Sequence, residues 1–140
     1  MTYIKSLVSV VMPAYNAGLF IEESINSALA QTYENIEILV VNDCSTDNTV
    51  AVVEGFTDQR VQLIHQAKNA GVAEARNTAI RVAKGQYVAF LDSDDLWHSD
   101  KIQKQINALN NCTEAVCSHT GYDRISETGK FKSRVEAIAQ

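Results

Sequence analysis

Three carboxylates follow an apolar run in the second half of the chain. Residues 85–91 are mostly apolar, aromatic or β-branched, which is typical of a buried central strand of a parallel sheet. Asp92, Asp94 and Asp95 come directly after this run, where open α/β sheets bind their ligands. Carboxylates this close repel one another unless a cation or hydrogen-bond donors compensate, and hard oxygen ligands suit Mg²⁺ or Mn²⁺. The pattern therefore indicates a divalent-metal site, the alternative being that Asp94 or Asp95 caps a helix beginning near Trp97.

The composition limits the kinds of function that the chain can have. A chain of 140 residues, 46% of them hydrophobic, is long enough to bury a core, and we expect a single domain over residues 1–140. The net charge of −5 and the lack of a basic stripe argue against nucleic-acid binding. No apolar stretch approaches the roughly 20 residues of a membrane-spanning helix, and residues 1–5 do not resemble a signal peptide. We therefore expect a cytoplasmic protein without a transmembrane segment.

The cysteines fit a reducing compartment. Cys44, Cys112 and Cys117 are odd in number, and their spacing is not that of a zinc site. We therefore expect reduced, mostly buried thiols.

The hydrophobic pattern predicts strands that alternate with helices. Helical spacing of apolar residues separates the predicted strands, which is typical of a right-handed, mostly parallel α/β sheet with helices on both faces. The helix before the fourth strand carries alanines at positions 75, 79 and 83, which would let it lie close to the sheet. The predicted strands are residues 7–12, 36–41, 61–65, 85–91 and 115–118.

Single residues predict where some of these elements begin and end. Pro13 is expected to stop the first strand, and Ser45 or Thr46 to cap the helix after the second strand. Gly85 is expected to end the helix before the fourth strand in a left-handed conformation. A turn is expected at residues 127–129.

Four short motifs resemble those of one enzyme family. They occur in that family's order and spacing, at residues 10–16 (VVMPAYN), 41–47 (VNDCSTD), 69–77 (NAGVAEARN) and 90–95 (FLDSDD). Residues 7 to about 110 therefore resemble the nucleotide-binding half of an inverting family 2 glycosyltransferase. The resemblance implies a Rossmann-like GT-A fold. It also implies a nucleoside-diphosphate sugar as donor, commonly UDP-linked, together with Mg²⁺ or Mn²⁺.

The resemblance implies roles for residues at the nucleoside end of the site. Tyr15 would stack on the nucleobase, and Asp43 would accept a hydrogen bond from the imide N–H of uracil. Taken alone, these residues also fit a packing tyrosine and a helix-capping aspartate. The motifs depart from the family pattern at Asn42, which replaces a frequent aspartate, and at Cys44, which stands where many members have glycine.

The resemblance also implies roles at the phosphate end. Asp92 would contact the ribose, and Asp94 would bridge to the diphosphate through a metal that neutralises charge on the leaving UDP. Arg76 would pair with the nucleotide or hold the aspartates in place, a structural salt bridge being an equal alternative. Asp95 is expected to cap the next helix, and Trp97 to pack under the loop or to stack on the acceptor. The expected substrate-binding residues are Pro13, Ala14, Tyr15, Asn16, Asp43, Arg76, Asp92 and Ser93, with Asp94 as the metal ligand.

The general base of the reaction is not found in the sequence. Inverting transfer needs a base that deprotonates the acceptor hydroxyl, and neither Asp123 nor Glu127 matches the family's base motif. Residues 134–140 resemble a helix cut short, so we expect the base and the acceptor-binding half beyond Gln140. The chain would then be the donor-binding part of an enzyme that acts on a glycan or lipid-linked acceptor. The alternative is a non-catalytic nucleotide-sugar-binding or scaffolding module.

Two expectations about the surroundings follow from this interpretation. Without the second half, an apolar sheet edge would be exposed, so homo-oligomers are expected. A lipid-linked acceptor would bring the protein to the inner face of the membrane.

Overall fold

The secondary structure is that of a mixed α/β protein, and the computed structural model describes residues 2–137. The chain divides into two compact units, Met1–Lys101 and Ile102–Gln140, each of which is described by itself. The prediction of a single domain over residues 1–140 stays a prediction. In chain order the elements are β1 (Ile4–Ala14), α1 (Ile21–Leu29), β2 (Ile36–Asn42), α2 (Thr49–Glu54), β3 (Val61–His65), α3 (Val72–Val82), β4 (Gly85–Phe90), α4 (Lys101–Asn111), β5 (Tyr122–Ile125) and β6 (Phe131–Val135).

The first unit is built on a four-stranded parallel sheet with the strand order β3-β2-β1-β4. Val10 of β1 lies opposite Ile38 of β2 and Ala89 of β4. Every residue of β2 is buried, as are the last eight residues of β1. Successive side chains of a strand point to opposite faces, so continuous burial means that both faces of the sheet are covered. The predicted parallel α/β fold is confirmed.

Small side chains bring α3 close to the sheet. Ala75 and Ala79 are completely buried in a cluster with Leu39 and Val41 of β2, and Ala83 packs against the same cluster. The predicted alanine face of this helix is therefore confirmed. It places the beginning of α3 beside the carboxyl ends of β1 and β2.

The strand β4 lies at the edge of the sheet, and the prediction of a central position is wrong. Among the described residues β4 pairs only with β1. Its side chains alternate between half-buried and exposed, and Val88 and Phe90 are 42% and 53% exposed. The apolar run shows that the side chains are hydrophobic, but it does not show whether a further strand lies beside them.

Two boundary predictions around the first two strands are wrong. β1 continues through Pro13, which lies opposite Val41, because extended backbone accommodates proline and only its own N–H is lost. Neither Ser45 nor Thr46 caps α2, which begins at Thr49 without a side-chain hydrogen bond from its N-cap residue.

The prediction that Gly85 ends α3 in a left-handed conformation is also wrong. The helix ends at Val82, the φ of Gly85 is not positive, and this residue begins β4. A Cβ atom on Gly85 would lie 2.7 Å from the carbonyl oxygen of Leu7 and from the hydroxyl oxygen of Ser9. Glycine is therefore required for the close approach of β4 to β1, a contact that local sequence does not reveal.

The second unit contains most of α4 and an antiparallel pair of strands, β5 and β6. The backbone N–H of Gly129 donates to the carbonyl of Ser126 at 2.8 Å, which confirms the predicted turn at 127–129. The predicted strand at 115–118 is wrong, since these residues adopt no regular secondary structure.

The predicted burial of the thiols is wrong for two of three cysteines. Cys112 and Cys117 are exposed, whereas Cys44 is half-buried. The predicted helical tail is also wrong where it can be compared, because Arg134 and Val135 belong to β6, and residues 138–140 of that prediction lie outside the described residues. Within residues 2–137, no helix combines the length and apolar character needed to cross a membrane.

Candidate functional site

A depression of about 190 Å³ lies at the carboxyl ends of the parallel strands. It opens between the loop after β1 and the loop after β4, and α3 supplies its floor. These two strands are neighbours that are distant in sequence, and such a switch point in strand order is where open α/β sheets bind ligands. The lining residues are Pro13, Ala14, Tyr15, Asp43, Val72, Ala75, Asp92, Ser93 and Asp94.

Most of the residues predicted from the motifs meet at this depression. Two members of the predicted set do not line it. Arg76 reaches it through its ion pair with Asp92, and Asn16 is engaged between two loops. Pattern analysis missed the floor residues Val72 and Ala75, because their apolar side chains carry no signal of ligand binding.

A tight turn presents the aspartates after β4. Leu91 is buried at 2% exposure and anchors the turn, and the N–H of Asp95 donates to the carbonyl of Asp92 at 3.0 Å. An ion pair of 2.6 Å joins Arg76 Nη2 to Asp92 Oδ1. The Arg76 Nε atom is buried and has no hydrogen-bond partner among the described residues, so one donor beside the site remains unused.

The other two aspartates of the turn carry charge that the protein does not neutralise. The side chain of Asp94 is exposed and makes no ion pair with any residue from 2 to 137. Burial, together with the charges of Asp94 and Asp92, raises the pKa of Asp95. The prediction that Asp95 caps the next helix is wrong, because α4 begins at Lys101.

This arrangement fits a divalent cation that also has ligands from a substrate. No group of three metal-ligating side chains is present among residues 2–137. Mg²⁺ and similar ions, however, are commonly held by one or two carboxylates and completed by substrate phosphates and water. Asp94, with the carboxylate of Asp92 beside it, supplies such a partial set, and their mutual repulsion is what a cation would relieve.

Asp43 follows β2 and is 3% exposed. Its Oδ1 atom accepts hydrogen bonds from Gln66 Nε2 at 2.9 Å and from the N–H of Ala70 at 2.8 Å. Its Oδ2 atom accepts one from the N–H of Gly71 at 2.8 Å. Because each carboxylate oxygen can accept two hydrogen bonds, Oδ2 keeps one position for a ligand donor. The carboxylate thus orders the loop before α3, a role that the sequence pattern did not indicate.

Tyr15 forms the opposite wall of the depression and is 54% exposed. An exposed aromatic ring over an open cavity is available for stacking on a planar ligand. The neighbouring Asn16 has a positive φ of 48°, and its side-chain oxygen accepts the N–H of Thr46 at 2.8 Å. Asn16 therefore joins the loop after β1 to the loop between β2 and α2.

Trp97 lies beyond the aspartate turn and is half-buried. Its backbone N–H donates to Ser27 Oγ at 3.1 Å, and the Lys101 Nζ atom lies 5.1 Å from the centre of its ring. Burial lowers the pKa of Lys101. A cation held over an indole face stabilises this contact. The two expected roles of Trp97, packing under the loop and stacking on the acceptor, stay predictions.

The sequence and the fold both match known glycosyltransferases. The family model described as Glycosyl transferase family 2 matches residues 9–138. WfgD of Escherichia coli, a UDP-Glc:alpha-D-GlcNAc-diphosphoundecaprenol beta-1,3-glucosyltransferase, is 44% identical over 127 residues, which are 89% of this chain and 50% of WfgD. The chain thus spans about half the length of this relative.

Two solved structures extend the comparison to bound donors. TarS 1–349 of S. aureus in complex with UDP-GlcNAc has a TM-score of 0.70 and 31% identity, covering 74% of this chain and 31% of TarS 1–349. The mannosyltransferase PcManGT of Pyrobaculum calidifontis, in complex with GDP-Man and Mn²⁺, has a TM-score of 0.68 and 34% identity, covering 73% of this chain and 32% of its own. The GT-A likeness expected from the motifs is confirmed, and the chain belongs to glycosyl transferase family 2.

Proposed function

We propose that this chain is the donor-binding part of an inverting glycosyltransferase that uses a UDP-linked sugar. The observation that carries the proposal is the depression at the strand ends, where an exposed aromatic ring faces a cluster of carboxylates. Tyr15 supplies the ring, and Asp92 and Asp94 supply the carboxylates. Asp43 supplies the hydrogen-bond acceptor position that remains on its Oδ2 atom. A nucleotide sugar presents the complementary groups, namely a planar base, N–H donors and a diphosphate.

The geometry supports an arrangement in which different parts of the donor contact different walls of the site. The base would lie on Tyr15, with its N–H directed at Oδ2 of Asp43. The ribose hydroxyls would donate to Asp92, whose ion pair with Arg76 fixes its orientation. Because the depression holds only about 190 Å³, we expect the sugar to extend beyond it.

A divalent cation, Mn²⁺ or Mg²⁺, would be held by Asp94 and by the donor diphosphate. When bound, it would neutralise the charge of the leaving nucleotide. The Mn²⁺ in the PcManGT complex supports this proposal for the chain.

The transfer itself requires an acceptor and a base. The acceptor hydroxyl oxygen would form a bond to the anomeric carbon while the bond from that carbon to the diphosphate oxygen breaks on the opposite face. The base takes the hydroxyl proton, and its location beyond Gln140 stays a prediction. The name of WfgD includes a diphosphoundecaprenol, which supports a lipid-linked acceptor for this chain too. The cytoplasmic location, at the inner face of a membrane, likewise stays a prediction.

Self-association through β4 is proposed as well. Val88 and Phe90 are exposed on a strand that pairs on only one side within the described residues. Concentration-dependent sedimentation of the chain is the expected result, and a monomer at all concentrations would contradict it.

Calorimetric titration of UDP with and without Mn²⁺ tests the proposed donor. GDP is one comparison nucleotide, because PcManGT was seen with GDP-Man. CDP is the other, because it carries the second pyrimidine base on the same diphosphate. We expect the tightest binding for UDP with Mn²⁺. Tighter binding of GDP would overturn the choice of base, and a lack of binding by all three nucleotides would overturn the proposed function.

A further inference from the structure

The loop that carries Tyr15 is held from behind by the loop between β2 and α2. Three successive backbone N–H groups of the first loop donate to side-chain oxygens of the second loop and of the first residue of α2. Asn16 donates to Ser45 Oγ at 3.1 Å, Ala17 to Thr49 Oγ1 at 2.8 Å, and Gly18 to Asp47 Oδ2 at 3.0 Å. We call these contacts, together with those of the Asn16 side chain, the loop clasp.

The clasp is reciprocal. The side-chain oxygen of Asn16 accepts the backbone N–H of Thr46 at 2.8 Å and that of Asp47 at 3.3 Å. Each loop thus satisfies backbone donors of the other. Such paired bonds fix both the separation and the register of two segments that have no strand pairing between them.

Asp47 is the centre of the clasp. Its Oδ1 atom accepts a hydrogen bond from the Thr49 hydroxyl at 2.5 Å, and Thr49 is completely buried. This bond commits the only proton of the hydroxyl, so Thr49 Oγ1 meets the N–H of Ala17 as an acceptor. The other carboxylate oxygen of Asp47 holds Gly18 directly, and the Thr49 hydroxyl bond in turn lowers the pKa of Asp47.

We propose that Asp47 is a positioning residue for nucleotide binding, which holds the loop after β1 so that the Tyr15 ring faces the cavity. The inference rests on the proposed function, since it assigns a task to a residue that does not line the site. Asp47 acts on the ligand only through Tyr15. A purely structural role would instead change stability and leave the affinity of the folded protein for UDP unaltered.

A double-mutant cycle between Asp47 and Tyr15 tests this inference. We expect Asp47→Ala to weaken UDP binding by about tenfold, within the range that base–aromatic stacking supports. In a Tyr15→Ala background the same change should have almost no further effect. Equal losses in both backgrounds, or unchanged affinity in Asp47→Ala, would overturn the inference. If the wild-type chain binds UDP in these titrations, the proposed function stands whichever result the cycle gives.

Two additional variants keep the test decisive if Asp47→Ala does not fold. In Gly18→Ala, the new Cβ would lie 1.9 Å from Asn48 Oδ1 and 2.9 Å from Asp47 Oδ2. The exposed Asn48 side chain must turn away, and the Asp47 carboxylate must shift from its place against the N–H of residue 18. This variant should repeat the loss of affinity and speed hydrogen exchange at the amides of Ala17 and Gly18. Asp58→Ala is the matched control, because this carboxylate pairs with Arg60 at the opposite end of the strands. It should leave both readouts unchanged.

Discussion

At the scale of single residues, the aspartates of the candidate site differ in what already surrounds them. Asp43 accepts three hydrogen bonds from the protein, and Asp92 is paired with Arg76. Asp94 is exposed and has no such partner among residues 2–137. Unlike Asp95, it also lines the cavity, so its charge is available to a cation bound there.

Replacement of Asp94 by alanine should abolish the metal dependence of nucleotide binding. The side chain has no protein partner to lose, so the free energy of unfolding should change by less than about 0.5 kcal/mol. UDP affinity in the presence of Mn²⁺ should fall to the value measured without the metal. Calorimetry of wild type and variant, with and without Mn²⁺, gives the comparison, and a metal response that persists in the variant would show that Asp94 is not the ligand.

Tyr15→Ala should weaken UDP binding by about 1–3 kcal/mol, the range measured for stacking of one base on an aromatic ring. Tyr15→Phe is the matched control, because it keeps the ring and removes only the hydroxyl. We expect wild-type affinity for the phenylalanine variant in the same titration. Equal losses in the two variants would assign the effect to the hydroxyl rather than to stacking.

At the scale of elements, the junction between α3 and β4 depends on a glycine packed against backbone. In Gly85→Ala the added methyl group would lie 2.7 Å from the Leu7 carbonyl oxygen and 2.8 Å from the Ser9 nitrogen. Backbone atoms of a central strand cannot move aside cheaply, so we expect a loss of about 1–3 kcal/mol in the free energy of unfolding. Urea denaturation measures it, with Lys84→Ala as the control at an exposed neighbouring position. A stability equal to wild type would mean that the strands can separate without cost.

This junction also illustrates which elements the sequence could predict. β2 and β3 lie where apolar periodicity placed them, and α3 packs through its predicted alanines, because those signals are local. The role of Gly85 depends on a strand more than 70 residues earlier, and local patterns contain no information about it. For the same reason, the sequence did not reveal that β4 lies at the edge of the sheet rather than at its centre.

The candidate site shows the same division. Motifs located Tyr15, Asp43 and Asp92, because chemically distinctive residues follow strands whose carboxyl ends must meet at one edge. The contacts of Asp43 with the loop before α3, and those of Asp47 with the loop after β1, join segments far apart in the chain. Nothing in the spacing of residues indicates such partners.

At the scale of the whole molecule, acid should destabilise the fold through carboxylates whose pKa values are lowered in the native state. Hydrogen bonding by Thr49 lowers the pKa of Asp47 below its ordinary 3.8, and hydrogen bonding by Arg60 does the same for Asp58. A lowered native pKa means that the unfolded chain binds more protons. The stabilisation is therefore complete above the unfolded pKa and is lost as the pH falls through the native one.

Melting temperatures measured between pH 6 and pH 3 should therefore fall most steeply below about pH 4. Asp95 opposes this trend, because its raised pKa lets the folded chain take up a proton readily, but it is one group against several. In Asp47→Asn and Asp58→Asn the melting temperature should depend less on pH than in wild type, since each variant removes one proton-linked contact. If the melting temperature of both variants fell as steeply with pH as that of wild type, acid would be acting on other groups. That result would also mean that the charge of Asp47 is not needed for the stability of the loop clasp.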